Sequence, residues 1–222
     1  MILLDSSITA LTIWGYSMSW LELIGTVCNI ATVYLITKRK IINWPIGIVA
    51  SALFAILFFQ FRLYSDFIEN IYFFATGFWG WWLWTRKDVF AGDSKVEVRK
   101  ASRREVYISL TVTVIGTAVM GYCIAHIHQW LPKYFPEAAA LPYLDTLTTV
   151  MSFVAQILIT RRIILNWQMW IIVDIIGIWL YWYKGLRLIS LLYVIFLGLA
   201  IKGFIDWRRQ LANQTKPMEV QV

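Results

Sequence analysis

"TKRKIINW" occupies Thr37 to Trp44, and "TRRIILNW" occupies Thr160 to Trp167. The same phrase, a basic cluster leading into Asn-Trp, stands twice in one chain at an offset of 123 residues. Self-similarity at a fixed distance is the first mark of a duplicated fold. With that offset held, Glu22 falls on Asp145, Thr26 on Thr149, Leu35 on Leu158, Arg39 on Arg162 and Asn43 on Asn166. A shift of about two residues near Gln60 then sets Arg62 on Arg187, Leu63 on Leu188, Ser65 on Ser190 and Trp82 on Trp207.

Composition says what kind of fold is doubled. Of the 222 residues, 59% are hydrophobic and only 15% are charged, with 13 Trp, which is too apolar for an ordinary soluble domain. The net charge of +7 does not signal nucleic acid, because Lys and Arg sit in short clusters between apolar runs and form no binding face. Cys28 and Cys123 lie inside apolar runs and read as small core residues. Met1 to Tyr16 lacks a basic n-region and contains Asp5, so it reads as an interfacial segment and not as a secretory leader.

A helix crossing ~30 Å of hydrocarbon needs ~20 largely apolar residues. Seven stretches meet this: Trp20 to Ile36, Ile42 to Gln60, Tyr64 to Trp84, Val106 to Trp130, Tyr143 to Ile159, Leu165 to Tyr183 and Leu188 to Trp207. Alternate loops carry fifteen Lys and Arg on one side and four on the other, so the basic side is expected to be cytoplasmic, with the N-terminus outside and the C-terminus inside.

The expected fold is therefore an all-α integral membrane protein of seven transmembrane helices, two three-helix repeats joined by a linker helix. One crossing of the linker makes the repeats parallel, related by a pseudo-twofold axis along the membrane normal. The expected divisions are an N-terminal interfacial segment (1–18), a first repeat (19–85), a loop, linker helix and outer loop (86–142), a second repeat (143–209) and a cytoplasmic tail (210–222). Proteins built this way hold substrate near the midplane, at the repeat interface.

Candidate site residues are the polar and aromatic groups at membrane depth. Asp174 lies near the middle of its span, where an ionisable group costs several kcal/mol unless paired or wetted. It shares a helical face with Trp167 and Trp170. Glu69 and Asn70 lie one turn past Asp66, and Asn29 and Gln156 occupy similar depths on equivalent helices. Asn43 and Asn166 read either as helix N-caps or as ligand groups, Trp44 as a belt residue or a ring platform, and Trp182 likewise.

Catalytic chemistry finds little support. His126 and His128 stand alone at the outer end of the linker helix, there is no Gly-x-x-x-x-Gly-Lys-Ser/Thr phosphate loop, and neither a metal nor a cofactor is expected. A pore would want rings of like groups, whereas the polar residues here are few, varied and accompanied by aromatics.

Several phrases resemble one family in order and spacing. "NWPIG" (Asn43 to Gly47), "RLYSDFIENIYF" (Arg62 to Phe73), "GFWGWWLW" (Gly77 to Trp84) and the run from "NWQMWIIVD" to "LYWYK" (Asn166 to Lys184) are similar to the PnuC family of bacterial vitamin transporters, and to its nicotinamide riboside members in particular. The resemblance covers roughly Trp20 to Arg209 and implies a three-plus-one-plus-three arrangement, facilitated diffusion of nicotinamide riboside across the bacterial inner membrane, and a homotrimer surrounded by lipid. Relatives in that family act on thiamine, riboflavin or deoxynucleosides, so the ligand stays open among them. A pyridinium ring wants an aromatic face, worth ~0.5 to 2 kcal/mol, for which Trp182, Trp170 and Trp44 are candidates. Its carboxamide and ribose suit Asn29, Asn43, Asn70, Gln156 and Asn166, and its charge suits Asp174 or Glu69.

Overall fold

The structure is a computed structural model, describing residues 8–13, 15–61, 64–88, 97–135, 138–185 and 187–214. Among the described residues seven helices follow a short hairpin: β1 (Thr9–Ile13), β2 (Tyr16–Ser19), α1 (Trp20–Thr37), α2 (Asn43–Gln60), α3 (Tyr64–Asp88), α4 (Arg103–Trp130), α5 (Pro142–Thr160), α6 (Leu165–Tyr183) and α7 (Arg187–Gln214). The helices match the seven expected spans, with α3 and α7 running on for one to two turns beyond their apolar stretches. Part of the segment expected to be interfacial forms the antiparallel β1-β2 pair. Tyr16 Oη donates to Glu22 Oε1 at 2.8 Å, and partial burial followed by that carboxylate pushes the phenol up to about 12.

The packing order carries the architecture. In sequence order α1 packs on α2 and α2 on α3, then α5 on α6 and α6 on α7; the two triplets join where α3 meets α5 and where α7 meets α1. The result is a closed ring of six helices, α1-α2-α3-α5-α6-α7. Exchanging the triplets turns the α3-α5 seam into the α7-α1 seam. The linker α4 stands outside the ring against α5 alone among the helices, with Tyr143 over Gly121.

The offset of 123 holds across the whole ring. α1 ends at Thr37 and α5 at Thr160, α2 ends at Gln60 and α6 at Tyr183, α3 starts at Tyr64 and α7 at Arg187. The expected two-residue shift is therefore a correction: Trp207 corresponds to Trp84, not to Trp82. Arg62 and Leu63, which suggested the shift, lie outside the described residues. Aromatic-rich sequence aligns with itself in several registers, and only packing chooses one.

The surface is apolar and the interior partly polar. Val27, Val49, Ile68, Val114, Ile175 and Val194 are exposed, while Asn43, Asn166, Thr37, Thr160 and Asp174 are buried. That inversion suits a chain whose solvent is lipid, where the helix ladder satisfies its own backbone. Among the described residues α1, α2, α4, α5 and α7 are long and apolar enough to cross a membrane. α3 and α6 fall short because they hold Asp66, Glu69 and Asn70 in one case and Asn166, Gln168 and Asp174 in the other, together with many Trp and Tyr. The chain is thus a multi-pass helical membrane protein.

Candidate functional site

The repeated phrase is a turn. Thr37 and Thr160 each donate Oγ1 to the carbonyl three residues back, at 2.8 and 2.7 Å, and finish α1 and α5. Arg39 (φ 57°) and Arg162 (φ 62°) then take the left-handed conformation that reverses the chain. A non-glycine residue there costs ~1 to 2 kcal/mol, so the surroundings must hold it. Asn43 and Asn166 supply the hold: each donates Nδ2 to the carbonyl three residues earlier, Lys40 O and Ile163 O, at 2.6 Å. They are not N-caps as expected. Ile42 and Ile164 occupy that position without a side-chain bond, and the two amides point back into the turn.

Trp44 and Trp167 are driven inward by these turns, to 3% and 1% exposure. They do not sit in an interfacial belt. Each lies over a glycine of the third helix of its own triplet, Gly80 or Gly203, where a Cβ would overlap the indole ring. Trp84 stands edge-on to Trp44 at 5.2 Å, and Trp207 edge-on to Trp167 at 5.5 Å. Trp84 and Trp207 face each other at 6.5 Å across the ring of helices. Four indoles, with Ile36, Ile159 and Val98, therefore close the ring at its basic end. Arg162 completes the closure, its Nη2 donating to Leu83 O at 3.2 Å and Trp84 O at 2.9 Å.

Further from that end the interior turns polar. Gln156 of α5 donates Nε2 to Thr76 Oγ1 of α3 at 3.3 Å, across the seam between triplets. Tyr72 Oη donates to Phe153 O at 2.9 Å across the same seam. Phe73 of α3 approaches Trp170 of α6 at 6.4 Å although those helices share no backbone contact, so side chains alone bridge the interior here. Glu69 lies within electrostatic reach of Asp66, Tyr181 and Tyr193, and Asp174 within reach of Tyr193. Tyr193 of α7 packs on Gly177, one turn from Asp174. α5 and α6 contain no Lys or Arg, and this region presents carboxylates, hydroxyls, an amide and rings, with Lys184 just past α6 acting on Asp66.

The expected residues thus divide. Trp170, Asp174, Glu69 and Gln156 come together around α3, α5, α6 and α7. Asn70 sits beside Glu69, its Nδ2 donating to Asp66 O at 2.9 Å. Asn29 is half-buried on α1. Asn43, Asn166, Trp44 and Trp167 lie at the basic-end turns, where each Asn Nδ2 is bonded while the Asn Oδ1 and Trp Nε1 atoms are buried with no partner among the described residues. Trp182 lies apart at the far end of α6, 62% exposed, with the Arg187 guanidinium 5.2 Å from its ring. Reading by residue type missed Phe73, Thr76, Gly203 and Tyr193. An unbroken 123-residue offset would have picked out the glycine and tryptophan pairs.

Among the described residues no group of three His, Cys, Asp or Glu is placed to hold a metal ion. Comparison with known proteins places this arrangement. The chain matches the nicotinamide mononucleotide transporter family over residues 19–209. It is 29% identical over 208 residues to the nicotinamide riboside transporter PnuC of Escherichia coli, covering 87% of each chain. It is 24% identical over 209 residues to the riboflavin/roseoflavin transporter RibM of Streptomyces davaonensis, covering 94% of each. The crystal structure of the vitamin B3 transporter PnuC is similar with a TM-score of 0.67 and 28% identity, over 88% of this chain and 83% of that one.

Proposed function

Since this chain belongs to the nicotinamide mononucleotide transporter family, a family of membrane transporters and not of enzymes, we propose that it carries nicotinamide riboside by facilitated diffusion. The substrate binds inside the helix ring, between the triplets. The observation that carries this reading is the grouping of Trp170 and Phe73 with Gln156, Glu69 and Asp174, to which α5 and α6 add no Lys or Arg. A pyridinium nucleoside offers a cationic ring for the indole and carboxylates, and hydroxyls and a carboxamide for the amide and tyrosines. A phosphate on the same nucleoside would bring its negative charge against Glu69 and Asp174, so the riboside fits better than the mononucleotide.

All seven helices cross the membrane in this reading, α3 and α6 being tolerated because their polar residues face the interior. The basic end is cytoplasmic, as the loop charges suggest. The triplets then form parallel repeats, and transport consists of their rocking about the seams so that Trp84 and Trp207 separate at the cytoplasmic end. We place the chain in a bacterial plasma membrane as a homotrimer, on family resemblance. Riboflavin is the second reading, because a relative matched along nearly the whole chain is a riboflavin transporter by name. Its ring is flat but uncharged, so it makes no use of Glu69 or Asp174.

Titration calorimetry of the purified protein with nicotinamide riboside, nicotinamide mononucleotide, thiamine and riboflavin tests the substrate. Micromolar binding of the riboside alone supports the proposal, and preferential binding of another compound overturns it. Uptake into proteoliposomes tests the mode: the riboside should enter saturably with proton and sodium gradients both abolished. Uptake that collapsed without them would remove uniport.

A further inference from the structure

The two basic-end turns have unlike surroundings. At the α5-α6 turn an extended strap ahead of α4 lies alongside: Arg99 N–H donates to Arg162 O and Ile164 N–H donates to Arg99 O, each at 3.0 Å. Ile163 is fully buried there, and Val98 is 4% exposed within the cluster of Trp84, Trp207 and Ile159. Apolar side chains fill that turn.

The 123-residue offset puts Lys40 where Ile163 stands and Asp206 where Leu83 stands. The α1-α2 turn accordingly borders a cavity of about 520 Å³ on the seam between α1 and α7. Lys38, Arg39 and Lys40 line it from the first triplet, Asp206 and Arg209 from the second, and Tyr34 adds a ring to its wall.

Charge singles this cavity out. Four cationic side chains line it against one carboxylate. Asp206 is already shared, pairing with Lys38 at 3.5 Å and with Lys202 at 3.2 Å, so Lys40 and Arg209 add positive charge that the cavity's own carboxylate does not offset. The carbonyl end of α1 would repel an anion if it were open. It is closed, since Tyr34 O, Leu35 O and Ile36 O accept the N–H groups of Lys38, Lys40 and Arg39. Depth also fits. Thr37 ends an apolar helix long enough to cross a membrane, which sets Lys38 and Lys40 at head-group level, where basic pockets between helices take phosphate-bearing head groups.

We infer that this cavity is a phosphate-binding site on the α7-α1 seam. Lys38 and Lys40 approach the phosphate from the α1-α2 turn and Arg209 from α7, its guanidinium offering paired N–H donors to two phosphate oxygens. A phosphate held there joins the first triplet to the second, and gives the α1-α2 turn the cover that Val98 and Arg99 give the α5-α6 turn. The same chemistry has two sources, the head group of an anionic lipid and a soluble phosphate.

The test uses the full chain, purified in detergent and stripped of lipid. One arm offers phosphatidylglycerol against phosphatidylcholine and counts bound lipid by native mass spectrometry. The other offers inorganic phosphate against chloride at equal ionic strength and reads the melting temperature. Preferential retention of phosphatidylglycerol supports the site with a lipid as its source, and stabilisation by phosphate supports it with a soluble one. In either case Lys40→Ile with Arg209→Gln should weaken binding at least about tenfold. Arg103→Gln with Arg104→Gln removes the same charge from the exposed start of α4 and should change binding less than about twofold. Equal weakening by both pairs, or no preference with either probe, overturns the assignment. A gain of binding guards against misfolding as the cause. Asp206→Asn releases Lys38 and should tighten binding about threefold, and a monodisperse variant that binds no more tightly would sink the idea. No vitamin enters these measurements, so they stand apart from the choice of transported substrate.

Discussion

The indole Nε1 of Trp84 donates to the carbonyl oxygen of Thr160 at 3.2 Å, joining the end of α3 to the end of α5 across the seam between triplets. The other seam has a similar bond, in which Trp207, 123 residues after Trp84, donates Nε1 to Ile36 O at 3.2 Å, one residue before the Thr37 that corresponds to Thr160. Both rings are fully buried. Each last carbonyl turn of a first helix is therefore satisfied by the opposite triplet, which is how a helix end can be buried without loss.

Trp84→Phe and Trp207→Phe should destabilise the protein by similar amounts, each about 0.5 to 2 kcal/mol, the range for a hydrogen bond between membrane helices. Thermal unfolding of the detergent-solubilised variants checks this. A large effect from one and none from the other would show that the two seams are not equivalent.

Gly80→Ala and Gly203→Ala should each lower stability by roughly 1 to 3 kcal/mol, because the added methyl group collides with Trp44 or Trp167. Pairing Gly80→Ala with Trp44→Leu removes the opposing ring and should recover part of the loss. Monodisperse yield on size exclusion and the melting temperature are the readouts, and the absence of any rescue would refute the contact as the cause.

Trp170→Ala should weaken riboside binding about tenfold, from loss of a ring stacked on a cation in a dry site. Trp182→Ala, at the exposed end of α6, should change it less than about twofold. Calorimetric titration of both variants decides between an interior platform and an outer one, and the reverse ranking would move the site to the far end of the ring.

Asp174→Asn and Glu69→Gln should each reduce affinity for the cationic riboside while leaving any binding of uncharged riboflavin unchanged, since only the former draws on their charge. Parallel loss for both ligands would mean that these groups support the helices and not the substrate.

The extended strap at Arg99, which precedes α4 and bridges to the α5-α6 turn, should loosen in acid. Arg99 grips Glu105 through two hydrogen bonds, at 2.7 and 2.8 Å, and with the Ser102 N–H this holds the carboxyl well below its ordinary range, at about 2. A carboxylate depressed on folding stabilises fully above ~4.5 and loses that contribution as pH falls toward ~2. Melting temperature measured from about pH 6 to pH 3 should therefore fall more steeply in the native chain than in Glu105→Gln. Parallel curves would show that the pair does not hold the strap.

The amino-acid sequence by itself determined the class, the number of helices and their duplication. Each of those depends on local quantities: twenty-residue apolar runs, Lys and Arg counts between them, and a phrase repeated at fixed distance. Even the turn chemistry was implicit in Thr37-Lys38-Arg39 and Asn43-Trp44, because a hydroxyl, a left-handed residue and an amide act within one another's reach. Tertiary structure alone decided which polar residues come together inside the helix ring. Asn43 and Asn166 look in sequence like Gln156, yet their amide nitrogens are bonded within their own turns, while Gln156 reaches Thr76 on another triplet. Trp44, Trp170 and Trp182 are one residue type in similar surroundings; one closes the basic end, one faces the interior and one is left outside. The difference lies in contacts between helices distant in sequence, and lipid-facing, packed and ligand-facing positions draw on the same apolar and aromatic alphabet. Only the closure of six helices into a ring sorts them.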